Sequence, residues 1–206
     1  MIADRRFNFL FATFEGGGSV APALTVVAKL VRRGHRVRVM SDYCNGFETT
    51  AAGADFVPWT RAPSRRNRSR DTDILRDWEA ASPQEGLMRT VERLMIGPAL
   101  AYARDVIEEL EREPADLVVS NEMLFGVAAG CEAVGQRLAM LTANISLFPI
   151  PGVPPMGPGL APARTDEDRE LHAAVAQGMQ GLLDSQLPAL NAARAALGLG
   201  PIQTAA

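Results

Sequence analysis

Residues 7–13, Phe7-Asn8-Phe9-Leu10-Phe11-Ala12-Thr13, form a short, nearly continuous apolar run that Gly16-Gly17-Gly18 interrupts. A strand covered by helices on both faces has this character. From Pro22 onward Leu24, Val27, Ala28, Leu30 and Val31 recur at helical spacing, with Pro22 suited to a first turn and Gly34 to a stop just beyond Arg33. Val37, Val39 and Met40 make a second strand. Strand, glycine turn, helix and strand in this order is a βαβ unit, with parallel strands and a right-handed crossover.

The same grammar continues outward. Residues 47–52 read as a short helix, Asp55-Phe56-Val57-Pro58 as a third strand, Leu117-Val118-Val119-Ser120 as a fourth, 124–134 as a helix and 137–142 as a fifth strand. The alternation predicts an α/β fold, a Rossmann-like open parallel sheet with helices on both faces and strand order 3-2-1-4-5 or an extension of it. Between the third and fourth strands, residues 61–76 carry Arg65, Arg66, Arg68 and Arg70 without apolar periodicity and read as an exposed loop. Residues 84–111 then read as one or two helices broken near Gly97-Pro98. The uncharged stretch 138–163 begins as a strand, but Pro149, Pro151, Pro154, Pro155, Pro158 and Pro162 turn it into a loop. Residues 166–197 return to helix, interrupted by Pro188, with Leu183, Leu187, Leu190 and Leu197 as the buried stripe. Residues 1–197 are therefore expected to form one domain, and 198–206 a tail of linker composition.

At about 150 residues per domain, a chain of 206 residues allows one large domain or two small ones. Its 47% apolar and 22% charged content is globular and excludes a disordered tail, a collagen repeat and a coiled coil. A net charge of -3 argues against nucleic acid as a partner, because phosphate backbones select strongly basic surfaces. Cys44 and Cys131 are the only cysteines, and no Cys/His cluster has metal-ligand spacing, so neither a disulfide framework nor a structural metal is expected. A cytoplasmic location fits, and no segment reads as a membrane span or an export signal.

Gly16-x-Gly18-x-x-Ala21 formally satisfies the dinucleotide fingerprint, and Asp42 ends the next strand where a ribose-binding acid would stand. One reading is thus an NAD(P)-dependent oxidoreductase whose pyrophosphate approaches bare backbone. The other is a tight strand-to-helix turn in which glycine supplies a positive φ.

Longer stretches carry a specific resemblance. Residues 11–22, Phe-Ala-Thr-Phe-Glu-Gly-Gly-Gly-Ser-Val-Ala-Pro, and 30–37, Leu-Val-Arg-Arg-Gly-His-Arg-Val, resemble the N-terminal domain of GT-B glycosyltransferases. The likeness is to bacterial enzymes that glycosylate natural products, sterols or macrolides. Residues 114–120, the proline-rich 150–159 and the helical 187–194 resemble further parts of that domain in the same order. The resemblance implies one half of a GT-B architecture, which binds a hydroxylated small-molecule acceptor. A C-terminal domain, absent here, would bind the nucleotide diphosphate sugar, so no cofactor is expected on this half. Sugar transfer with inversion would occur between the halves, with the glycine loop facing that cleft.

Inverting transfer needs a base for the acceptor hydroxyl proton. The resemblance places that base three residues before the loop proline, where this chain has Ser19, and its partner acid at the end of the fourth strand, where it has Asn121. Neither is a general base near neutral pH. Glu15 and Glu122, just past the first and fourth strands, are the carboxylates that could replace it, and their alternative reading is as exposed loop residues. Phe14, Gly17, Gly18, Met123, Phe125 and Phe148 are the expected acceptor contacts. His35 reads as a turn residue on the opposite edge, and His172 as a helix surface residue.

Overall fold

Five parallel strands form one sheet in the order β3-β2-β1-β4-β5: β1 Asn8–Ala12, β2 Arg36–Ser41, β3 Asp55–Pro58, β4 Leu117–Asn121 and β5 Leu138–Leu141. The computed structural model describes residues 5–16, 18–143, 146–148 and 150–205. Register sets Ala12 beside Met40 on one side and Ser120 on the other, Ser41 beside Pro58, and Asn121 beside Leu141. Because all strands run the same way, Thr13, Asp42, Trp59, Glu122 and Thr142 emerge along one carboxyl edge. The chain leaves β1 toward β2 and β3 and returns on the other side to β4, so the topological switch point lies between β1 and β4.

The alternation along β1 divides the core. Leu10 and Ala12 pack on one face with Tyr102, Val106 and Val127, from α4 (Ala99–Arg112) and α5 (Phe125–Ala133). Phe11 packs on the other face with Val27 of α1 (Val20–Arg32) and with Val37 and Val39. The stop at Gly34 is as expected: its φ is +84°, and its N–H donates to the Val31 carbonyl at 2.8 Å. After α2 (Gly46–Ala51) and β3, α3 (Pro83–Thr90) runs into a π-helical turn, Val91–Met95, before the break at Gly97-Pro98. Gly97 is required there, since a Cβ would stand 1.8 Å from the Glu92 carbonyl oxygen.

The arginine-rich loop exposes Arg66, Arg68 and Arg70 as expected but is anchored to the domain at its start. Asp105 of α4 accepts the backbone N–H groups of Thr60, Arg61 and Ala62, and also contacts the Arg61 guanidinium at 3.2 Å. Arg65 is buried and paired with Asp73 at 3.1 Å. No local pattern reveals this, since Asp105 lies 43 residues from Ala62.

Helices α6 (Asp166–Asp184) and α7 (Leu187–Ala196) build a second core against the π-turn, with Leu183 and Leu190 buried and Leu187 and Leu197 half-buried. Thr165 caps α6 in a reciprocal capping box with Asp168. The segment after α7 folds back. Asn191 exchanges hydrogen bonds with the Ile202 backbone at 2.9 and 3.0 Å, and the Ala205 N–H reaches Asp184 at 2.7 Å.

Candidate active site

The glycine loop leaves β1 under an aromatic roof. Phe14 is buried with Met40 and Trp59, and a Cβ on Gly16 would stand 2.4 Å from its Cε2. Gly16 is therefore required for room. Neither Gly16 nor Gly18 has a positive φ, which corrects the turn-chemistry reading for these two positions. The Gly18 N–H donates to the Gly16 carbonyl at 2.8 Å; Gly17 lies outside the described residues.

Ser19, 5% exposed, immediately precedes α1 and makes no side-chain cap there. It lines a narrow crevice, with room for about one water, together with Thr13, Ala23, Val119 and Asn121. The switch point thus brings together the two positions the sequence comparison singled out, and both are neutral. Asn121 is oriented by accepting the Met123 N–H at 2.9 Å on its Oδ1.

Neither candidate glutamate is a solvated loop residue. Glu122 is 6% exposed and accepts from Thr142 Oγ1 at 3.2 Å, Ser146 Oγ at 3.1 Å and the Leu147 N–H at 3.3 Å. Its carboxylate fastens the segment after β5 to the end of β4. The Glu15 N–H donates to Asp42 Oδ2 at 2.7 Å, and Glu15 Oε2 accepts from Arg68 Nε at 3.1 Å.

Asp42 is only 2% exposed, and its other oxygen accepts the Arg65 N–H at 2.7 Å. Burial pushes its carboxyl above the ordinary range, against the opposing pull of these two N–H groups. A ribose contact needs a carboxylate open at the strand edge. Asp42 instead staples two loops together, which removes the acid that the oxidoreductase reading relied on.

Met123 and Phe125 are half-buried against the second core, and the Phe125 and Phe148 rings lie 6.3 Å apart. Phe148 also lines a small apolar crevice, walled by Val153, Pro154 and Met156 of the proline-rich segment and by Ala176 and Met179 of α6.

No family model matches the chain. A curated relative, 4'-demethylrebeccamycin synthase of Lentzea aerocolonigenes, is 29% identical over 161 residues, covering 75% of this chain and 36% of that protein. The chain is similar to that synthase in sequence and to natural-product glycosyltransferases in fold. It spans little more than a third of that relative's length. Its fold matches the kitacinnamycin glycotransferase with a TM-score of 0.61 at 16% identity, over 96% of this chain and 42% of that one. SsfS6, a glycosyltransferase of Streptomyces sp. SF2575 solved with thymidine diphosphate, matches with a TM-score of 0.53 at 17% identity, over 95% and 46%.

The remaining candidates have structural partners. His35 Nδ1 accepts the Phe7 N–H at 3.4 Å and sits against the Phe7 and Phe9 rings, while His172 Nε2 lies 3.0 Å from the Ala161 carbonyl. Cys44 is half-buried, and burial pushes its thiol up. Among the described residues no group of three or more His, Cys, Asp or Glu could hold a metal, and no helix is long and apolar enough to cross a membrane. Sequence reading missed the contacts of Arg68 and Arg65 and the α6 wall of the apolar pocket. The Arg68 contacts and the pocket wall depend on segments far apart in the chain.

Proposed function

We propose that this chain is the acceptor-binding half of an inverting glycosyltransferase, which moves a sugar from a nucleotide diphosphate sugar to a hydroxyl of an apolar metabolite. The observation that carries this reading is the convergence of Ser19 and Asn121 on one cleft at the switch point, where open α/β sheets bind ligands. Similarity to 4'-demethylrebeccamycin synthase supports the substrate class. The acceptor body would rest against Met123, Phe125 and Phe148, with its hydroxyl at the carboxyl edge. There it would attack the anomeric carbon as the C–O bond to the diphosphate breaks on the opposite side. A second domain would hold the diphosphate on backbone N–H groups at a helix N-terminus.

Of the two carboxylates, Glu15 is the one assigned as base: Glu122 fastens the segment after β5 through Thr142, Ser146 and Leu147, whereas Glu15 is held by the Arg68 side chain, which fixes its direction. The test is glycoside formation by the full-length protein, with dTDP-glucose and a planar phenolic acceptor, followed by mass spectrometry. Glu15→Gln should lower kcat by about 10²–10⁴-fold, the range for loss of a general base. Glu122→Gln should instead lower thermal stability. No glycoside from the wild type would overturn the reading.

The neutral Ser19 and Asn121 pair favours a second reading, a catalytically inactive partner of another transferase. Glycoside formed only when an active transferase is added would select it.

A further inference from the structure

Arg68 gathers three segments of the chain. Its guanidinium donates to Glu15 Oε2 at 3.1 Å, to Glu48 Oε1 of α2 at 2.6 Å and to Asn45 Oδ1 at 2.8 Å. The platform that presents it is ordered: Arg65, three residues earlier, is buried, pairs with Asp73, and donates to the Ser69 carbonyl at 3.1 Å. Asp42 ties the backbones of the same two loops, at Glu15 and Arg65. Glu15 is therefore held both through its N–H and through its carboxylate.

An arginine that is 48% exposed adds little to stability through an ion pair. Its planar fork does fix direction, because donors in one plane hold a carboxylate in one orientation. The Glu15 side chain, 9% exposed, stands beside buried Asp42 and pairs with the Arg68 cation.

We propose that Arg68 is a positioning residue, which sets the place and direction of the Glu15 carboxylate at the carboxyl edge and so governs proton transfer to it. The inference rests on the reading of Glu15 as the base of a glycosyl transfer.

The test is a double-mutant cycle in the full-length enzyme with dTDP-glucose and a planar phenolic acceptor. Arg68→Gln should lower kcat about 10–100-fold, the scale of a misplaced catalytic group, with KM changed by less than about twofold. Arg68→Lys, which keeps the charge and loses the fork, should recover part of the loss. In a Glu15→Gln background Arg68→Gln should cost nothing further, since no base remains to be positioned. An equal loss in both backgrounds, a change confined to KM, or wild-type turnover by Arg68→Gln would overturn the inference. Wild-type turnover by Glu15→Gln would instead remove Glu15 as the base, and absence of glycoside from the wild type would remove the proposed function itself.

Discussion

Asp42, at the end of β2, accepts the N–H of Glu15 at 2.7 Å, so the second strand carries the anchor for the loop that follows the first. The same carboxylate takes the Arg65 N–H, and one buried side chain thereby joins two loops of the carboxyl edge.

That arrangement has a pH signature. Burial raises the native Asp42 carboxyl above its ordinary value of 3.8, so the native state binds this proton more readily than the unfolded chain. Its contribution is full below the ordinary value and is lost as pH rises through the native one. Asp42→Asn, with one acceptor oxygen for two N–H groups, should destabilise the fold by about 1–3 kcal/mol at neutral pH. The gap to wild type should widen as pH falls from about 7 toward 4. Urea titrations of both proteins across that range check it, and a narrowing gap would contradict the assignment.

Asp105 should behave in the opposite way. Burial pushes its carboxyl up, but the N–H groups of Ala62, Thr60 and Arg61 and the Thr60 hydroxyl outweigh it and hold the native carboxyl low. Its stabilisation is present above the ordinary 3.8 and is lost as pH falls through the native value. Asp105→Asn should cost about 2–4 kcal/mol at neutral pH, since one oxygen must serve three backbone donors. That cost should shrink in acid below about pH 4. Chemical denaturation of both proteins at the two pH values reads the difference.

In the glycine loop two glycines should respond differently. Gly16→Ala drives a methyl into the Phe14 ring and should destabilise by about 1–3 kcal/mol, because the ring must shift within a packed core. Gly18→Ala meets nothing within 4 Å and needs no unusual φ, so its effect should stay within about 0.5 kcal/mol. Phe14→Leu should recover part of the Gly16→Ala loss. Thermal melts of the three variants decide the matter.

The sheet was legible in the sequence, and Asp55–Pro58 was read as a strand with the bounds it has in the structure. The break at Gly97-Pro98 and the turn at Gly34 were legible too, because glycine and proline act on their own backbone. Arg38 was not. It lies within β2, fully buried, where its guanidinium pairs with Glu109 and donates to the Glu113 carbonyl at 2.7 Å, so a core position carries a charge that periodicity assigns to solvent. The burial of Glu15 and Glu122 was likewise not legible, and their alternative reading as exposed loop residues does not hold.

The amino-acid order by itself determined the alternation of strands and helices, the strand order, and the placing of Ser19 and Asn121 on the carboxyl edge. The alternation follows from period and from turn residues within a few positions, and the choice of Ser19 and Asn121 from the resemblance to GT-B glycosyltransferases. Only the tertiary structure decided which carboxylates are already bonded. Their donors lie far along the chain, 20 residues from Glu122 to Thr142 and 45 from Asp105 to Thr60. Burial and hydrogen bonding are properties of packing, and packing joins segments that no local pattern connects.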